Sequence, residues 1–252
     1  MYEIEMHEMT EAFFPCWKAA GIHLSQQVDG GIQSWLRAHP FPPFLEHLSF
    51  RLGNQLFFVR VEDVDRKVQG PGNPPGFITA ARDANGRACI LPMKKQLIGG
   101  SWVAEFPGWG LLDAETGKPI DPVALITDQK IEMTPWEVQD MAVQVVRDHL
   151  EERGFELMSW QGNPEVDPSI WFIGKSKRPE WVVVRPAKFP ADSAERPRNW
   201  QAIAASCSRM GPTGHFASVA MASTEQPFES SDEAPVPLWR GYGVHVRFTG
   251  LE

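Results

Sequence analysis

Residues 167–188 read DPSIWFIGKSKRPEWVVVRPAK, two short apolar runs around a basic turn. The runs at 169–173 and 181–185 are strand candidates, and the turn between them carries Lys175, Lys177 and Arg178. Upstream, TPWEVQDMAVQVVRDHLEERG places Thr134 as N-cap, Pro135 at the first helical position and Glu137 as capping-box partner. Val138, Met141, Ala142, Val145, Val146 and Leu150 recur at helical spacing, and Gly154 stands where a C-terminal cap belongs. A strand is expected at 155–160 between helix and hairpin. Downstream, Trp200, Ile203, Ala204 and Cys207 share one face of a helix over about 199–210, ended by Gly211. Strands at 215–222 and 242–248 follow, separated by an acidic, proline-bearing loop, STEQPFESSDEAPVPLW.

The first half has a different grammar. LSFRLGNQLFFVRVED sets Gly53-Asn54 between two apolar segments, a two-residue hairpin signal. FITAARDANGRACILP suggests a second hairpin around Asp83 to Gly86, and GWGLLDAETGKPIDP a third reversal around Glu115 to Lys118. VQGPGNPPG, between the first two, reads as a loop that continues neither neighbour. Short helices are expected near 8–20 and 30–38. The expectation is an α+β chain: a β-hairpin-rich region at 1–130 with short N-terminal helices, then a second region at 131–252.

Composition narrows the function classes. The 252 residues include ten Trp, 22 Pro and two Tyr, and the net charge is −8. An acidic chain is a poor general binder of phosphate backbones, whose affinity rests on Lys and Arg displacing counterions. Cys16, Cys89 and Cys207 form no CxxC or Cys/His spacing, so neither a disulfide framework nor a zinc site is supported. The N-terminus lacks an apolar signal core, and no stretch reaches the roughly 18 apolar residues of a membrane span. A cytoplasmic protein without membrane contact is expected. The seven histidines contain no HxH or HExxH pair, and no GxSxG elbow or phosphate-binding glycine loop occurs.

From residue 134 the order helix, three strands, helix, strand resembles the αβββαβ core of PD-(D/E)XK nucleases, the restriction-endonuclease-like fold. The resemblance covers about 134–222. The complete sequence also resembles uncharacterised bacterial proteins that share its GNPEVDPSIWF stretch and LWRGYGVHVRFTGLE ending. In the nuclease family, two carboxylates at neighbouring strand ends bind Mg²⁺, which acidifies a water, and a Lys two residues after the second acid assists. Side chains alternate along a strand, so that spacing is what puts acid and Lys on one face.

Mapped here, Asp167 takes the first acid's place and is the one metal-ligand candidate, unless it only initiates a turn before Pro168. Arg185 takes the Lys position, which leaves Val183 where the second acid belongs. Shifting the frame to Lys188 puts Pro186 there instead. The motif is broken. Glu137 or Glu165 could supply a displaced acid, although a capping role explains Glu137 and a solvated loop explains Glu165. The expectation is a non-catalytic, defence- or immunity-associated protein that binds a protein partner and needs no cofactor. The alternative is a divergent Mg²⁺-dependent nuclease using Asp167, Glu165 or Glu137 with Arg185 or Lys188.

Three surfaces are candidates for binding. Lys175, Lys177 and Arg178 belong to a segment, 174–198, with seven basic residues against three acids, which suits nucleic acid or answers the acidic loop. Glu229, Asp232 and Glu233 in that loop could meet a basic partner. Trp102 and Trp109, in SWVAEFPGWG, could anchor a partner or pack a hairpin edge.

Overall fold

A computed structural model describes residues 10–32, 34–36, 48–70, 74–229 and 234–252. The protein is α+β and divides into two compact units, residues 1–129 and 130–252.

In the first unit, helix α1 (Phe14–Ser25) carries Pro15 in its first turn, where a missing N–H leaves nothing unpaired. Cys16, Trp17, Ala20 and Leu24 face inward. The helix expected at 8–20 therefore lies further along the chain. The one expected near 30–38 is replaced, where described, by strand β1 (Trp35–Leu36). It pairs with β2 (Leu48–Leu52), and the Trp35 ring meets Phe50 edge-on at 6.0 Å. β2 turns into β3 (Gln55–Asp63) through Gly53-Asn54, with Leu52 opposite Gln55 and Gly53 at φ +56°, as the sequence indicates.

The second expected hairpin is a different structure. Its first arm is helix α2 (Pro74–Asp83), beginning inside the segment read as loop, and only its second arm is a strand, β4 (Arg87–Lys95). β4 runs parallel to β3, and parallel neighbours need a crossover that a tight turn cannot supply. The turn residues end the helix instead. Asn85 sits at φ +47°, its N–H donates to the Arg82 carbonyl, and Gly86 N–H donates to the Ala81 carbonyl at 2.8 Å. Beyond β4 come β5 (Trp102–Ala104) and β6 (Leu112–Asp113), both antiparallel to it. The reversal expected at 115–118 is present, with Asp113 N–H donating to the Lys118 carbonyl at 2.8 Å. The sheet order is β1-β2-β3-β4-β5, with β6 also on β4.

The core of this unit joins α1 to the inner face of the sheet, through Phe13, Trp17, Phe50, Phe57, Leu91 and Met93 among others. Cys16 and Cys89 lie in it. Burial, then the nearby Asp63 carboxylate, pushes the Cys16 thiol up to about 12; burial, then Asp113, does the same for Cys89. Burial raises Cys207 as well. Since the thiolate is the reactive form, all three should resist a thiol reagent at pH 8 in the native protein and react fully in denaturant. Rapid native labelling of Cys16 or Cys89 would contradict this placement.

In the second unit, helix α3 (Pro135–Glu152) has the expected capping box. Glu137 N–H donates to the Thr134 hydroxyl at 3.3 Å, and Thr134 N–H donates to the Glu137 carboxylate at 2.9 Å. Its end is a Schellman motif: Gly154 is at φ +77°, Gly154 N–H donates to Glu151, and Phe155 N–H donates to Leu150. Val138, Ala142, Val143, Val146 and Leu150 are buried, while Met141 and Val145 are half-buried. Then come β7 (Glu156–Trp160), β8 (Ile170–Ile173), β9 (Pro179–Lys188), α4 (Trp200–Cys207), β10 (Thr213–Ser223) and β11 (Val244–Phe248). The sheet order is β11-β10-β9-β8-β7, with β9 and β10 parallel and every other pair antiparallel.

β9 is the central strand and is buried on both faces. Trp181 and Val183 pack with Ile203 and Cys207 of α4 and Phe216 of β10. The alternate residues Val182 and Val184 are fully buried too, and α3 packs on the strand. A continuous apolar run, Trp181 to Val184, is what a strand covered on both sides requires.

Candidate functional site

β8 begins only at Ile170, opposite Val182, so the stretch of β9 beyond Val182 has no β8 residue opposite it. Side chains complete the pairing. Val184 N–H donates to the Ser169 hydroxyl at 3.2 Å, and the buried Gln139 side chain of α3 donates to the Val184 carbonyl at 3.0 Å. Neither Ser169 nor Gln139 stands out in the sequence, because what they complete is a strand edge that appears only in three dimensions.

Asp167 and Arg185 meet just there. Arg185 Nη1 donates to Asp167 Oδ1 at 3.0 Å and Nη2 to Oδ2 at 2.6 Å, a two-pronged pair mostly shielded from solvent. Nη1 also donates to the Val184 carbonyl at 2.9 Å. Planar guanidinium and planar carboxylate match in this geometry, and both oxygens of Asp167 are engaged. Val183, where the nuclease resemblance would put a second acid, is fully buried beneath α4.

The other candidate acids stand elsewhere. Glu137 is 1% exposed and accepts from the fully buried Arg240 at 2.7 Å on each oxygen, while still capping α3. Arg240 lies 103 residues away in PLWRGYG; the only sequence signal was a cation within an apolar run. Glu165 is exposed in its loop, its N–H donating to Asn163. Lys188 lies 3.8 Å from Glu132. Glu180 pairs with His215 at 2.8 Å. Asp167 and Arg185 thus come together, and Glu137, Glu165 and Lys188 each have other surroundings.

These residues do not fit a Mg²⁺ ion. A hard cation needs several free oxygens, whereas Asp167 and Glu137 each give both of theirs to an arginine. Among the described residues, no three His, Cys, Asp or Glu side chains are grouped to share a metal.

The candidate binding residues also separate. Lys175, Lys177 and Arg178 are exposed on the β8–β9 turn, with Lys177 at φ +59°, and none has an ion pair among the described residues. Trp102 and Trp109 are half-buried against the first unit's core, Trp109 stacking on Phe50 with ring centres 5.8 Å apart. Glu229 is exposed and pairs with Arg247, whose guanidinium also lies over the Phe228 ring. Asp232 and Glu233 lie outside the described residues.

Residues 136–252 match a family model described as a domain of unknown function (DUF8840). No curated protein and no solved structure matches the chain. The matched stretch takes in α3 after its first residue and everything beyond it, including Glu137, Asp167, Arg185 and Arg240. Among the described residues, no helix is long and apolar enough to cross a membrane.

Proposed function

We propose that the chain acts without catalysis, by binding another macromolecule, on a nuclease-like C-terminal scaffold whose metal site has been converted into structural ion pairs. The observation that carries this reading is the Asp167–Arg185 fork. The residues in the places of a nuclease's first acid and cationic helper neutralise each other, and a buried valine stands in the place of its second acid. Releasing Asp167 for a metal would strand Arg185 beside it, which opposes metal entry. A basic protein is the partner that suits a net charge of −8, and immunity or defence is the setting in which such masking is useful.

The test is cleavage of plasmid and single-stranded DNA with Mg²⁺ or Mn²⁺, beside Asp167→Ala. No cleavage is expected from either protein above a buffer blank. Cleavage by the wild type that disappears in Asp167→Ala would sink the proposal and restore the nuclease reading. That second reading draws its support from the exposed cations of the β8–β9 turn. It requires DNA binding that weakens steeply with salt and with Lys175→Glu/Lys177→Glu.

A further inference from the structure

The hairpin joining β4 to β5 ends in two consecutive aliphatic residues that touch almost nothing: Leu97 is 101% exposed and Ile98 is 91% exposed. The turn carrying them is well bonded. Gln96 N–H donates to the Ser101 carbonyl and the Ser101 hydroxyl donates to the Gln96 side-chain oxygen, both at 2.8 Å. On the next rung Lys95 stands opposite Trp102, its ammonium 5.9 Å from the ring centre. Lys95 and Trp102 are also part of the wall of a cavity of about 330 Å³ within the first unit. Ala12, Pro15, Val68 and Trp102 supply its apolar lining. Glu11, Asp63, Asp65, Lys67 and Lys95 add three carboxylates and two ammonium groups, with Lys67 paired to Asp65 at 2.9 Å.

An apolar knob and an apolar-lined hole therefore stand side by side on one surface. Any partner with a pocket could take the knob, but only a partner carrying both features uses both. A two-fold interface demands a patch complementary to itself, and this one carries both an apolar projection and an apolar-lined hollow, with Glu11 and Lys95 at the hollow as charges of opposite sign. We propose that a second copy of this chain docks here, each copy placing Leu97 and Ile98 in the other's cavity while lysines face the opposing carboxylates. Two aliphatic side chains passing from full exposure to burial form the kind of central anchor that dominates an interface.

Sedimentation velocity on the full chain over a concentration series tests this. The wild type is expected to dimerise. Leu97→Asp/Ile98→Asp, which removes the knob from positions that support no fold contact, should weaken the dimer by at least about 100-fold. Ala12→Trp, which fills the hole, should do likewise. Mixing the two variants should regain a weaker heterodimer, because one intact knob still meets one intact hole. Circular dichroism checks that each variant is folded. A wild type monomeric at about 100 μM overturns the proposal. So does a knobless variant that dimerises normally, or a mixture no more associated than its components.

Discussion

Arg240→Met is expected to destabilise residues 130–252 by about 3–5 kcal/mol, the cost of leaving one member of a buried ion pair without its partner. Both side chains are essentially inaccessible, and both Glu137 oxygens accept from the guanidinium. Without Arg240 the Glu137 carboxylate must either stay charged in an apolar setting or take up a proton, and either is unfavourable. Calorimetry of the full chain should show the transition of this unit lowered by more than about 10 °C. The double variant Glu137→Leu/Arg240→Met should recover most of the loss, since a well-packed apolar pair often replaces a buried ion pair at little net cost. Recovery should stop about 1 kcal/mol short, because Glu137 also accepts from the Thr134 N–H at the start of α3. A single variant within 1 °C of wild type would show that the pair holds nothing together.

Gly214→Ala should cost about 3 kcal/mol, at the upper end for an overpacked core. On β10, Gly214 lies beside Trp181 of the central strand. A Cβ there would stand 2.0 Å from Cζ2 and 2.2 Å from Cη2 of the indole. The ring cannot withdraw easily. It is buried, its N–H donates to the Gly211 carbonyl at 3.0 Å, and Trp200 packs on it with ring centres 5.0 Å apart. Trp181→Phe removes the obstructing atoms, so the double variant should be more stable than the sum of the two single losses predicts. Strict additivity in chemical denaturation would mean that the clash is relieved by backbone movement instead.

Local signals were legible in the sequence wherever the interactions that decide an element lie within a few residues of each other. The Thr134–Glu137 capping box and the Gly154 cap bracket α3, and Gly53-Asn54 makes the β2–β3 hairpin. Strand runs at 169–173 and 181–185 fall within or at the edge of β8 and β9. The same kind of signal misled at Asp83 to Gly86. Asn and Gly with a left-handed neighbour close a hairpin or end a helix equally well, and only the parallel pairing of β4 with β3 selects the second.

The candidate site divides along the same line. The sequence by itself determined that position 183 is a valine and that no acid stands two residues before Arg185 or Lys188. It also marked Glu137 as a helix cap. Only the tertiary structure decided what the remaining charges do. Asp167 grips Arg185 across 18 residues, and Glu137 grips Arg240 across 103. Desolvation is the physical reason. A charge in water needs no particular partner, but one enclosed by the fold must find its opposite. Which opposite it finds depends on the packing of elements far apart in the chain.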